Sequence, residues 1–266
     1  MGWDLYGSIG LTMKLLKPRL KKWCSRFKWI INKLYDKLGK PDATSSKNDE
    51  FQQNPIDNPD LFLEKVSGVI HVGANIGQER DLYAKHNLHV VWIEPIPEVF
   101  NQLKSNLKSY YTQQAYQCLV TDKDGELCEF HISNNDGLSS SILDLYQHKD
   151  IWPEVHYQRN ITLSSITLNS LVKKEKINIK KYDALILDTQ GSELLVLKGA
   201  GDLLDNFKFV KVEVPDFESY KDCPQADDID RFLRPYGFSE YSRNRFAVRS
   251  KGGSYYDILY KKGDSY

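Results

Sequence analysis

The chain has 266 residues with 36 basic and 36 acidic side chains, so its formal net charge is zero. The balance is uneven. Residues 1–40 hold ten Lys and Arg against Asp4 and Asp36, a charge of +8, which leaves −8 on the rest; an acidic body excludes general binding of nucleic acid by that body. Hydrophobic residues make up 41%, enough for one large α/β domain with an appendage. No uncharged apolar run reaches the roughly 18 residues that a membrane-spanning helix needs. The four cysteines, Cys24, Cys118, Cys128 and Cys223, show no C-x-x-C spacing. That argues against a zinc site and for a reducing, cytoplasmic setting.

The N-terminus lacks a basic start followed by a clean apolar core, so no secretory signal is expected. Met1-Gly2 would suit myristoylation, but Tyr6 stands where that motif needs Ser or Thr. Within residues 1–40, Leu20, Trp23, Phe27, Ile30, Ile31, Leu34 and Leu38 share one face at helical spacing, and Lys and Arg fill the remainder. Pro18 suits the start of this helix and Gly39 its end. Over residues 19–38, such a helix either lies in an anionic membrane surface, with Trp23 and Trp29 at the headgroups, or packs on protein. Residues 41–60 are polar, carry three prolines and read as a linker to a domain at 61–266.

The domain opens on Val69-Ile70-His71-Val72, a short β-branched run like a buried parallel strand, followed by Gly73-Ala74-Asn75-Ile76-Gly77. Gly73 and Gly77 permit a tight turn and close approach of a ligand to backbone. A helix is predicted near 77–87, then a strand over Val90–Glu94. Glu94 therefore follows the turn at the spacing where a β-α-β fold places the carboxylate that binds ribose hydroxyls. Asn75 replaces the middle glycine of the dinucleotide fingerprint and no third glycine follows. The ligand read from this is a nucleoside without a pyrophosphate, and S-adenosylmethionine fits.

Further strands are expected at Ala115–Thr121, Ala184–Asp188 and Phe209–Glu213, with helices near 97–109, 192–199 and 226–235. Leu127–Ile132 and Asn160–Ile166 read as strands of an insertion. Phe238–Tyr241 and Tyr255–Tyr260, separated by a basic loop holding Arg243, Asn244, Arg245, Arg249 and Lys251, read as an edge hairpin. Gly73, Glu94, Asp122, Asp188 and Glu213 fall at or just after strand ends, where an open parallel sheet binds its ligands.

Two segments resemble the FkbM-type S-adenosylmethionine-dependent methyltransferases. One is His71-Val72-Gly73-Ala74-Asn75-Ile76-Gly77 with Ile93-Glu94-Pro95. The other is Leu187-Asp188-Thr189-Gln190-Gly191-Ser192-Glu193 through Gly199-Ala200. Thr121-Asp122-Lys123-Asp124-Gly125 is similar to a third element. The likeness covers about residues 66–262. It implies a Rossmann-like class I fold, an α/β domain whose mostly parallel seven-stranded sheet carries an antiparallel edge hairpin. His71 stands where the family usually carries Asp, an acid that helps orient the methionine end of the cofactor. The resemblance puts Asp122 near the adenine; on its residues alone, Asp122 is alternatively a turn residue. It puts Ser141, in Ser139-Ser140-Ser141, near the cofactor pocket; the other reading is a polar turn cluster.

Methyl transfer to a hydroxyl needs an aligned acceptor and a group to take its proton. His156, His131, Asp188 and Glu213 are the candidates. Asp188 is alternatively a helix cap, and His156 a surface residue. Asp188 with Glu213 also suits a divalent ion. Glu193 reads as a capping or pairing residue of its helix. The expected function is an O-methyltransferase acting on a hydroxyl of a sugar, glycan or glycolipid. The alternative is a membrane-associated binding module with a degenerate nucleoside pocket and no turnover.

Overall fold

The computed structural model describes residues 59–263. The predicted helix at 19–38 and most of the linker lie outside the described residues. Pro59 and Asp60 form a turn that leads into a 3-10 helix at Leu61–Lys65.

The first β-α-β unit is β1 (Gly68–Val72), α1 (Arg80–Lys85) and β2 (His89–Ile93). Pro97 then opens α2 (Pro97–Asn106), its fixed φ being well suited to a first turn. The run expected as one strand over Ala115–Thr121 is two: β3 (Gln113–Tyr116) and β4 (Leu119–Val120). The chain leaves the main sheet between them, because β4 pairs not with β2 but with a later strand at Tyr157–Ile166. The insertion follows as β5 (Leu127–Ser133) and β6 (Tyr157–Ile166), antiparallel to each other; with β4 they make a separate three-stranded sheet. A helix not anticipated from sequence, α3 (Leu168–Lys174), is capped by Thr167, whose hydroxyl accepts from the Ser170 N–H. The remainder is β7 (Ala184–Leu187), α4 (Glu193–Ala200), β8 (Phe209–Pro215), α5 (Ala226–Leu233), β9 (Phe238–Val248) and β10 (Ser254–Lys262).

The seven-stranded sheet runs β3-β2-β1-β7-β8-β10-β9. All its pairings are parallel except those of β10, which is antiparallel to both β8 and β9. Two features differ from expectation at this edge. β8 continues through Glu213 to Pro215, so Glu213 lies inside the strand, directly opposite Asp257. Arg243, Asn244 and Arg245 lie within β9, not at the hairpin tip, which is the turn after Val248. Arg249 and Lys251 in that turn both pair with Asp150 of the insertion.

Strand alternation divides the core into two faces. Ile70, Val72, Leu185, Leu187, Val210 and Val212 face one cluster, covered by Leu168, Val196, Leu197 and Ile229 from the helices. Val69, Val90, Trp92, Ala184 and Phe209 face the other, against Tyr83, Phe100 and Leu103. α4 packs so closely on the insertion that a Cβ at Gly199 would stand 2.0 Å from the Thr121 carbonyl oxygen. The strand order reverses at β1, with β2 on one side and β7 on the other. That reversal opens a crevice beyond their carboxyl ends.

Candidate cofactor and acceptor site

The glycine turn sits on this crevice. Gly73 has φ +84, and a Cβ there would lie 1.9 Å from the Asp188 carbonyl oxygen at the end of β7. Glycine is needed for both reasons. The N–H groups of Gly73 and Ala74 both donate to the Ile93 carbonyl, and that of Asn75 donates to Glu94 Oε2 at 2.8 Å. These three amides tie the turn to the end of β2 and do not point outward as donors for a ligand's tail. Asn75 is itself left-handed, φ 45, which Asn tolerates. Gly77, φ +72, closes the turn with its N–H on the Ala74 carbonyl.

Glu94 is 4% exposed. Its Oε1 accepts from the Ile96 N–H at 2.9 Å and its Oε2 from the Asn75 N–H. An ionised carboxylate offers about four lone-pair sites, so one remains on each oxygen, the geometry a ribose diol needs. Burial, opposed by the two backbone N–H bonds and helped by the nearby Asp188 carboxylate, lifts its pKa from the usual range to about 7.

On the other side of the crevice the loop after β7 gathers the acids. Gln190 Nε2 donates to Asp188 Oδ1 at 2.7 Å and to Glu213 Oε1 at 3.0 Å. Its Oε1 accepts from the Tyr220 hydroxyl at 2.8 Å. Asp188 is not the cap of α4. Ser192 holds the N-cap position without a side-chain cap bond, and Glu193, the first helical residue, accepts from the N–H groups of Thr189 and Gly191 and from the Thr189 hydroxyl, all upstream of it. Glu193 is 1% exposed and burial pushes its pKa up to about 7 as well.

The structure brings Gly73, Glu94, Asp188 and Glu213 to one crevice and sets Ser141 beside it. The Ser141 hydroxyl donates to the Gln190 carbonyl at 2.8 Å, while Asn75 Nδ2 donates to the Asp136 carbonyl. The loop from Asn134 to Ser141 thus bridges the glycine turn and the acid loop. His71 is 5% exposed and faces away, stacked on Trp92 at 5.0 Å with Nδ1 on the Tyr83 hydroxyl. Asp122 lies against Gly199 of α4. His156 is exposed, its Nδ1 turned back to the Glu154 carbonyl, on a loop whose backbone pairs with Asn134. His131 stacks on Tyr157 in the insertion, its Nδ1 held by Asn160. Neither histidine joins the two acids.

Among the described residues no three metal-ligating side chains converge. The Gln190 amide hydrogens occupy the position between Asp188 and Glu213 that a bridging cation would take, so this donor set does not suit one. Sequence reasoning missed Gln190 and Tyr220. Gln190 was in view within the Asp188–Glu193 run, and its left-handed backbone, φ 55, was the feature a sequence does not display.

The methyltransferase FkbM domain matches residues 71–240. The chain belongs to this family. It is a methyltransferase that uses S-adenosylmethionine, and its mostly parallel seven-stranded sheet with an antiparallel edge pair is a Rossmann-like fold. No curated protein matches the sequence. Solved structures similar to it include magnesium protoporphyrin IX methyltransferase from Synechocystis PCC 6803, at 10% identity and TM-score 0.40, covering 74% of this chain and 71% of that one. Another is the 1,6-didemethyltoxoflavin-N1-methyltransferase of Burkholderia thailandensis, at 11% identity and TM-score 0.38, covering 99% and 94%. At such values these neighbours carry no argument of their own; the fold rests on the strand order.

Proposed function

We propose that the FkbM domain methylates a hydroxyl of a sugar, glycan or glycolipid. The observation that carries this reading is the convergence of Asp188 and Glu213 on Gln190, across the crevice from Gly73 and Glu94. Bound S-adenosylmethionine supplies a methyl group already activated on a sulfonium sulfur. Glu94 holds the ribose hydroxyls, and Gly73 gives the backbone clearance the ligand needs. Asp188 and Glu213 orient an acceptor hydroxyl by accepting from it, and one of them receives its proton as the oxygen–carbon bond forms. A polyhydroxyl acceptor suits such a site, since each further hydroxyl is a donor to a carboxylate. Excluding water and aligning the acceptor is most of what methyl transfer requires.

The test is transfer of label from methyl-labelled cofactor to a fractionated glycolipid extract by the full-length protein. Asp188→Asn and Glu213→Gln should each leave cofactor affinity within about threefold, because neither touches the ribose. The variant that removes the proton acceptor should lower kcat by about 10²–10⁴-fold. Binding of cofactor without transfer to any fraction would overturn the hydroxyl-methylation reading in favour of a binding module.

The acceptor's place at a membrane is part of the same reading, supported by the +8 charge of residues 1–40 and the apolar face at 19–38. No described helix is long and apolar enough to cross a membrane. Apolar burial and charge attraction add for a segment lying on an anionic surface, and the charge part weakens as salt shortens the screening length below about 10 Å. The full-length protein should co-sediment with anionic vesicles, less so at high salt. Equal sedimentation of a protein starting near residue 60 would remove the segment as the anchor.

A further inference from the structure

We propose that Gln190 is a positioning residue for methyl transfer: its amide holds Asp188 and Glu213 side by side as a carboxylate pair at the acceptor end of the crevice. The inference rests on the proposed role of those two acids. Asp188 ends β7 and Glu213 lies inside β8, on neighbouring parallel strands. Two carboxylates so placed repel, and one of a close pair ordinarily keeps its proton. Gln190 answers this with one N–H to each, at 2.7 and 3.0 Å.

Two bonds hold Gln190 in place. The Tyr220 hydroxyl donates to its Oε1, which fixes which end of the amide faces the acids. The Ser141 hydroxyl donates to its carbonyl. Tyr220 is 1% exposed and Ser141 fully buried, so both donors are themselves held in the core. The backbone at Gln190 is left-handed, a conformation that costs a non-glycine residue and persists only where surroundings impose it. Gly191 follows with φ +101, wedged against Tyr220, Leu143 and Cys223. The segment is therefore set by packing to deliver one amide between two acids.

Other charged groups face the pair. Asp188 faces Glu94 and Glu193, and its charge adds to the burial that raises the pKa of both. Lys211 and Asp257 flank Glu213 with opposite signs, and the buried hydroxyls of Tyr220 and Tyr255 lie beside it. Lys211 is the cation of this set and also pairs with Asp60. Gln190 touches both acids at once.

The experiment is a carbon-13 NMR titration of the two carboxyls in full-length protein, assigned through Asp188→Asn and Glu213→Gln. Gln190→Met keeps the length and removes the donor; Tyr220→Phe leaves the amide present but unanchored. With Gln190→Met, one carboxyl of the pair should titrate more than about one pH unit higher than in the wild type. Tyr220→Phe should move the same carboxyl in the same direction by less. If Gln190→Met does not fold, Tyr220→Phe decides. Unchanged titration of both carboxyls in a folded variant would overturn the assignment. The readout needs no acceptor, so failure of methyl transfer to the glycolipid extract would sink the proposed function and leave this result standing on its own.

Discussion

Lowering the pH from 8 to 6 should weaken cofactor binding about tenfold. Glu94 has a folded-state pKa of about 7, raised first by burial. Its ionised form is the one that accepts from both ribose hydroxyls while still accepting from Asn75 and Ile96. At pH 8 most of the protein presents that form; at pH 6 roughly one molecule in ten does, and apparent affinity falls by that fraction. Binding at pH 7 should also release protons, seen by calorimetry as a heat that varies with the buffer's ionisation enthalpy. The stability of the ligand-free protein moves the other way. A carboxyl whose folded pKa exceeds its unfolded value near 4.5 stabilises the fold below pH 4.5. That contribution is lost as pH rises through about 7. Glu94→Gln should remove the pH dependence of binding. It should also lower affinity about ten- to a hundredfold, since a buried partner left unmatched costs about 1–3 kcal/mol. A flat pH profile in the wild type would show that Glu94 does not hold the ribose.

Gly73→Ala should eliminate measurable binding of S-adenosylhomocysteine and lower the melting temperature of the domain. The left-handed backbone alone costs a residue with a side chain about 1–3 kcal/mol. The methyl group would overlap the Asp188 carbonyl oxygen at 1.9 Å, so β1 and β7 must separate or the turn must move. Either response displaces the crevice wall. A larger substitution such as Gly73→Val is expected to be worse on both counts. Calorimetric titration and thermal melts check the two effects separately; normal ligand binding by Gly73→Ala would mean that this turn is not the cofactor loop.

The sheet was legible wherever its strands were short, apolar and flanked by turn residues. Val69–Val72, Val90–Ile93 and Ala184–Leu187 are buried along nearly their whole length, so pattern and position agree. The edge was harder. Arg243 and Arg245 look like a loop because their side chains are polar, yet a strand at the rim of a sheet tolerates polar residues on its exposed side. Ala115–Thr121 reads as one strand because nothing in its composition marks where the chain moves from β2 to β6. In the site, Gly73 and Glu94 were visible through spacing, which follows from chain geometry. Asp122 was placed near the adenine by resemblance alone, because its position depends on the path of an insertion that local residues do not encode. Gln190 went unseen because its importance lies in contacts with Tyr220 and Glu213, which are distant in sequence.

The placement of β1 also governs when the crevice can come into being. β1 pairs with β2 almost as soon as both are made, but its other neighbour is β7, and Val69 meets Ala184 only after more than a hundred further residues have been added. The carbonyl that crowds Gly73 belongs to that late strand. During synthesis the first β-α-β unit therefore emerges with one edge of β1 unsatisfied and its glycine turn unconfined. Contacts so far apart in sequence make for slow folding, since the loop entropy is lost before the contacts repay it. An emerging chain holding only the first half of the domain has no pocket to fill. Ligand rescue of folding can act only once the second half has docked, and the exposed rim of β1 is where a nascent chain of this protein is most open to pairing with the wrong partner.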